Sequence, residues 1–253
     1  MMMKRIILGV ILILFSLNPG QLFAACSANA SVNGTNSSGA SATYLSAASG
    51  CVVTPSSYKV TFYKIEFYNS NTSSWVTFIE DSSGVEIDIA NFDPGATAGS
   101  VGSGSSLAAG TYSSMKITIS RNFGILAGAV DSGVGGMPCA TSSSNSSTIT
   151  GTALAGFPLA TSGTYDPGSS TQTVPVPDIA AVNSALDAIS NVERTTYGGQ
   201  NALAFTASVS FTIPESAQTL PSLSMTFNVK DTIEFAYDGT YCAVLVTPPS
   251  VSF

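Results

Sequence analysis

Leu203, Phe205, Ala207, Val209, Phe211 and Ile213 alternate with small or polar residues without a break. Successive side chains on a strand point to opposite faces, so a run of period two buries one face only as a β-strand. A helix would scatter the same residues around its circumference. Pro214 closes the run, because proline cannot donate a ladder hydrogen bond. The period returns elsewhere. Met115, Ile117 and Ile119 oppose Lys116, Thr118 and Ser120 within 111–121, and Val85, Ile87 and Ile89 alternate with Glu86 and Asp88. Leu223, Met225, Phe227 and Val229 form another run. Ile233, Phe235 and Tyr237 lead to an Asp238-Gly239 turn, residues 241–246 follow, and Pro248-Pro249 stops the sheet.

The stretch 58–68 is the densest in β-branched and aromatic residues. Its apolar phase moves from Val60 and Phe62 to Ile65 and Phe67, which a bulge near Tyr63 or burial on both faces would produce. Residues 75–79 read as a further strand between turns at 69–74 and 81–84. Eight or nine strands with turn signals between them specify a mainly β chain, an antiparallel β-sandwich of Ig-like or prealbumin-like type. One helix interrupts the pattern. Asp178 is its expected N-cap, and Ile179, Val182, Leu186, Ile189 and Val192 share a face that would pack on the sheet. Residues 93–110 and 128–175 are Ser/Gly-rich or poor in pattern and read as long loops, with a short strand at 148–154.

The N-terminus has the order of a secretory leader: Lys4 and Arg5, an apolar run at 6–17, a break at Asn18, Pro19 and Gly20, and Ala24 at the cleavage position. The apolar run is about 12 residues, short of the roughly 20 a membrane-spanning helix needs. The expected organisation is a signal peptide at 1–24, a disulfide-pinned Ser/Asn-rich segment at 25–57, and one sandwich domain at 58–253 with an insertion at about 122–200. Export places the chain in the periplasm, at the cell surface or outside the cell, where four cysteines, Cys26, Cys51, Cys139 and Cys242, can form two disulfides in any of three connectivities. Cys26–Cys51 would pin the Ser/Asn-rich segment and Cys139–Cys242 would tie a long loop to the last strand. Alternatively Cys26, at Phe23-Ala24-Ala25-Cys26, carries an outer-membrane lipid anchor.

Removing Lys4 and Arg5 from the 8 basic residues leaves 6 against 15 acids, a net charge of −9, which argues against a nucleic-acid partner. Charged residues are 9% of the chain, against about 25% in an ordinary domain, so uncharged polar groups must cover the surface. The chain has no His, which excludes Ser-His-Asp and Cys-His catalysis, and it carries no phosphate-loop or dinucleotide fingerprint. Glu86 and Asp88 fall on one strand face about 7 Å apart and make a candidate carboxylate pair for a secreted hydrolase. Asp81, Asp88 and Asp93 are candidate calcium ligands, calcium being the one cofactor this sequence suggests. Trp75, the single Trp, is expected in the core. If exposed, Tyr63, Tyr68, Trp75 and Tyr112 could stack on sugar rings.

The segments Val60-Thr61-Phe62-Tyr63-Lys64-Ile65-Glu66, Ser74-Trp75-Val76-Thr77, 85–89, Leu107-Ala108-Ala109-Gly110-Thr111-Tyr112 and Met115-Lys116-Ile117-Thr118-Ile119 follow one another in an order that resembles a group of bacterial exported domains of unknown function. The resemblance covers roughly half of the chain after the leader. It implies a carbohydrate-binding-like, prealbumin-type β-sandwich and an exported setting, and it implies no activity. Ala108 stands where that group has Pro, and residues 122–200 have no counterpart in it. The expectation is a non-enzymatic surface or extracellular protein with a structural, adhesive or assembly role, meeting a glycan or cell-surface partner or a second copy through an edge strand. A carbohydrate-binding module is the alternative, and a secreted hydrolase the weaker one.

Overall fold

The computed structural model describes residues 26–28, 49–91, 107–131, 138–150, 155–162, 171–215, 226–237, 240–247 and 249–252. In chain order the strands are β1 (Cys26–Ala28), β2 (Ser49–Val53), β3 (Ser57–Asn69), β4 (Ser74–Asp88), β5 (Gly110–Ser120), β6 (Asn122–Leu126), β7 (Gly128–Asp131) and β8 (Pro138–Ala140). Then come β9 (Leu159–Ser162), β10 (Gln172–Pro175), helix α1 (Ala180–Asp187), β11 (Val192–Tyr197), β12 (Gln200–Ile213), β13 (Thr226–Asn228), β14 (Ile233–Tyr237), β15 (Cys242–Val246) and β16 (Ser250–Ser252). The fold is mainly β, and the strand pairs are antiparallel. One sheet runs β10-β6-β3-β5-β12-β11 with β4 on the far side of β3. The other runs β1-β7-β8-β9-β15-β14-β2, and β13 pairs with β16.

β3 is the axis of the first sheet. On one side it pairs with β4 along nearly its whole length. On the other it pairs first with β6 and then with β5, which lie end to end. The phase shift around Tyr63 is a break in register: Phe62 faces Val85 while Lys64 faces Glu80, so Asp81, Ser82, Ser83 and Gly84 bulge opposite a single residue. The expected turn at 81–84 therefore lies within one long strand. The Asp81 carboxylate accepts from the Ser83 and Gly84 amides, and Gly84 has φ +78°. A Cβ there would sit 2.3 Å from the Thr61 side chain, so glycine is required.

The two sheets share one core, in which Phe123 and Ile125 of the first and Phe235 and Val244 of the second are buried. Within the first sheet Tyr58 and Phe123 meet edge to face and Phe67 packs among Phe78, Tyr112 and Phe211, while Phe62 meets Phe227 of β13 edge to face. The hydroxyl of buried Tyr58 donates to Thr247 O beyond the end of β15, joining the sheets through a partly buried hydrogen bond. The chain itself crosses between them at Ala127, which separates β6 from β7. Buried Thr141 holds that corner: its hydroxyl accepts from Ala127 N and its amide donates to Ala127 O. Gln172 on β10 is also buried. It accepts from Ser142 N and donates to Leu159 O, hooking the edge of the first sheet onto the second.

Several expectations change. The pattern-poor stretch supplies β7, β8, β9 and β10, strands of three or four residues that are too short to show a period, with Ala129, Ala140 and Ala160 buried in them. Residues 122–200 thus feed both sheets. At 148–154, Thr148 makes only an isolated bridge to Pro158, and 151–154 lie outside the described residues. The helix starts at Ala180 and ends at Asp187. Ile179 is its N-cap without a side-chain cap, so Asp178 is not the capping residue. Val182 and Leu186 are buried and Ile179, Ile189 and Val192 pack against the core, with Val192 already in β11. Ile89 leaves the strand for a 3-10 turn at Ile89–Asn91. Residues 1–24, Leu223, Met225 and the Asp238-Gly239 turn lie outside the described residues.

Cys139 and Cys242 form a buried disulfide across 103 residues of sequence. β9 pairs with β15 at Leu159 and Ala160 and with β8 beyond it, and the disulfide ties β8 directly to β15 at that exchange. Cys26 and Cys51 lie on β1 and β2, but their side chains are outside the described set. Chain-entropy closure of a loop this long is worth about 2–5 kcal/mol. A Cys139→Ala/Cys242→Ala variant is expected to lose about that much in urea unfolding of the oxidised protein, and loss of under about 1 kcal/mol would mean the cross-link constrains little.

Candidate functional site

Three places hold the chemistry, the first being the outward face of the β3-centred sheet. Tyr68 is opposite Trp75 on β4 and Ser114 on β5, and Ser114 is opposite Ser208 on β12, which makes one row across four strands. The next row is Thr77, Glu66, Lys116 and Thr206. Trp75 is 36% exposed, which corrects the expectation of a core Trp. The reason is phase: its partner Tyr68 alternates with buried Phe67, so both rings turn outward. The Tyr68 and Trp75 rings meet edge to face at 5.4 Å, and Lys116 Nζ stands 4.5 Å from the Trp75 ring centroid in a cation–π contact. Tyr112 belongs to the interior instead. It is fully buried, stacked on Phe211, and its hydroxyl donates to Ala108 O.

Tyr63, displaced by the bulge, stacks on Tyr197 at 5.1 Å. Tyr197 ends β11 before the two-residue Gly198-Gly199 hairpin turn, in which both residues have positive φ. Its hydroxyl donates to Glu80 Oε1 at 2.8 Å, so the last strand of the sheet reaches β4 on the other side. Desolvation, then the Glu80 hydrogen bond and the charges of Glu80, Asp81 and Glu66, push the Tyr197 pKa from 10.0 to about 12.

The candidate carboxylates sit in structural roles. Asp88 accepts from Ser57 Oγ at 2.6 Å and from the Tyr58 and Ala90 amides, fixing the entry to β3 and the exit from β4. Glu86 pairs with Lys59 at 2.9 Å and holds its ammonium pKa above the usual value. Asp81 closes its own bulge, four residues away in register from the Lys59–Asp88 end, and Asp93 is outside the described residues. Among the described residues no three His, Cys, Asp or Glu side chains are grouped to hold a metal ion.

The third place escaped the sequence reading. Arg121 lies where β5 gives way to β6, and there the outer neighbour changes from β12 to β10: Arg121 N donates to Asn201 O, and Arg121 O accepts from Val176 N. Its buried guanidinium donates through Nε to Val176 O and through Nη2 to Pro177 O and Asn183 Oδ1. Nη1 lies 3.6 Å from Asp178 Oδ1. Desolvation lowers the Arg121 pKa, while the Asn183 hydrogen bond and then Arg121 lower that of Asp178. A cleft of about 200 Å³ opens beside it, lined by Arg121, Asp178 and residues of β6, β10 and β12. The signal was present, since Arg121 occupies the phase of Met115, Ile117, Ile119, Phe123 and Ile125, all of them core positions.

No family model, no curated protein and no solved structure matches this chain. Among the described residues no helix is long and apolar enough to cross a membrane.

A folded-state tyrosine pKa above the unfolded one stabilises fully below pH 10.0, and that contribution is lost as pH rises towards about 12. Tyr197→Phe is expected to remove part of the stability decline between those values, read as urea midpoints across the window. An unchanged pH slope would mean Tyr197 ionises as it does when unfolded.

Proposed function

We propose that this chain is an exported surface or extracellular protein of Ig-like or prealbumin-like sandwich architecture with an adhesive or structural role. The leader-like N-terminus and the even cysteine count support export, and the Cys139–Cys242 disulfide fits an oxidising compartment. The observation that carries the role is the outward row Trp75, Tyr68, Ser114 and Ser208. Strands lie about 4.8 Å apart, so the row spans roughly 14 Å of nearly flat surface. It offers aromatic edges and hydroxyls, with one ion-paired acid and one cation beside it. Such a strip suits contact with an extended neutral partner, because it has little charge to desolvate. The exposed indole favours a carbohydrate as that partner, which makes the carbohydrate-binding module the second reading.

The basic residues fit the same reading. Of the six basic residues beyond residue 24, Lys59, Lys64, Arg121 and Arg194 are each ion-paired within the chain and Lys116 lies over the Trp75 ring, which speaks against the clustered cations that phosphate backbones require.

The mature protein is expected to be released after residue 24 with four oxidised thiols, or to carry lipid on Cys26, and intact mass distinguishes the two. Its retention on immobilised surface polysaccharide, or its growth into larger species at rising concentration on gel filtration, is expected to fall about tenfold on Trp75→Ala or Tyr68→Ala with the unfolding midpoint held. An unprocessed cytoplasmic chain, or a strict monomer that binds no such surface, contradicts the proposal.

A further inference from the structure

We infer that the cleft beside Arg121 is a binding site for one uncharged, hydroxyl-rich ring, a single sugar residue, distinct from the outward row on the sheet. Neither Trp75 nor Tyr68 lines it. Its volume of about 200 Å³ leaves room for a ligand the size of one six-membered ring with its hydroxyls.

The lining has the right chemistry. Asn122, Gln200 and Asn201 each present an amide that both donates and accepts, and Thr148 adds a hydroxyl. All four are exposed, and their side chains make no hydrogen bond among the described residues. A paired donor and acceptor on one amide matches two neighbouring hydroxyls of a sugar ring. Pro175, Val176 and Pro177 supply an apolar wall for its carbon face. The cation and the anion in the cleft, Arg121 and Asp178, offset each other, which removes any preference for a charged ligand.

Arg121 adds directed donors. Its Nε and Nη2 are committed to carbonyls and Asn183, but Nη1 is 3.6 Å from the Asp178 carboxylate, too far for a hydrogen bond. A ligand hydroxyl bridging the two would accept from Nη1 and donate a hydrogen bond to the Asp178 carboxylate. The walls are fixed before any ligand arrives. Asn122 is in register with Pro175, and Asn201 O accepts from Arg121 N. The backbone of the site is already in place, so the ordering cost of binding is confined to the exposed side chains.

The test is a ¹H–¹⁵N NMR titration of the full mature protein with glucose, galactose, mannose and N-acetylglucosamine. The expected result is saturable shifts of the Asn122, Thr148, Gln200 and Asn201 amides with at least one sugar, at a Kd on the order of 1 mM. The exposed double variant Gln200→Ala/Asn201→Ala is expected to weaken binding about tenfold, with the unfolding midpoint unchanged. Asn122→Ala on the opposite rim gives the same direction independently, and Trp75→Ala leaves binding intact. Loss of binding in Trp75→Ala with retention in the cleft variants would overturn this site and leave the outward row standing. So would the absence of saturable shifts with all four sugars, or tighter binding of acetate or glycine than of any sugar.

Discussion

The fold turns on Arg121. Beside β3 the chain runs on through β5 and β6 as one line, but its outer partner changes from β12 to β10 halfway. A fork of that kind leaves carbonyls where neither neighbour reaches, and a buried carbonyl without a donor costs about 1–3 kcal/mol. Arg121 is the residue at the fork, and its fixed array of donors meets Val176 O and Pro177 O together with the Asn183 side chain. One side chain thus ends β10, begins the approach to α1 and lets β12 and β10 share a flank. Beyond residue 24 the chain has only six basic residues, and it buries one of them.

The same logic recurs where the sheets join. Thr141 satisfies the backbone at the Ala127 corner, and Gln172 reaches from the edge of the first sheet to backbone groups of the second. Each is a buried polar side chain doing what a strand partner would do if the sheet continued. Apolar packing supplies the driving force for burial, while these three residues decide where strands may stop, fork and turn. The outward row and the cleft lie on opposite consequences of that plan. The row exists because β4, β3, β5 and β12 are in register across Tyr68 and Glu66, and the cleft exists because β12 and β10 separate at Arg121.

Much of the first sheet was legible in the sequence. The alternation of 203–213 and 111–121, the bulge at Tyr63 and the apolar face of α1 all follow from side-chain period, and long strands display a period well. Of the second sheet only β14 and β15, the runs at 233–237 and 241–246, were legible. Strands such as Pro138–Ala140 and Leu159–Ser162 offer three or four residues, and small side chains such as Ala140 and Ala160 give no contrast between faces. Trp75 was misplaced because residue type outweighed phase, while its pairing with Tyr68 decides its face. The Gly198-Gly199 turn that delivers Tyr197 to Glu80 was readable as a hairpin signal between two polar-apolar runs. Arg121 was readable too, as a charge standing in the phase of five core residues, but its partners come from 55 or more positions away and no local pattern names them.

Arg121 satisfies the backbone at the fork. Arg121→Met keeps most of the side-chain length and removes every donor, so urea unfolding of that variant is the direct measurement. A loss of about 3 kcal/mol or more is expected, because Val176 O, Pro177 O and Asn183 Oδ1 are stranded beside a buried apolar chain. A variant within about 0.5 kcal/mol of the parent, or more stable than it, would mean that the fork is held by packing alone and not by Arg121.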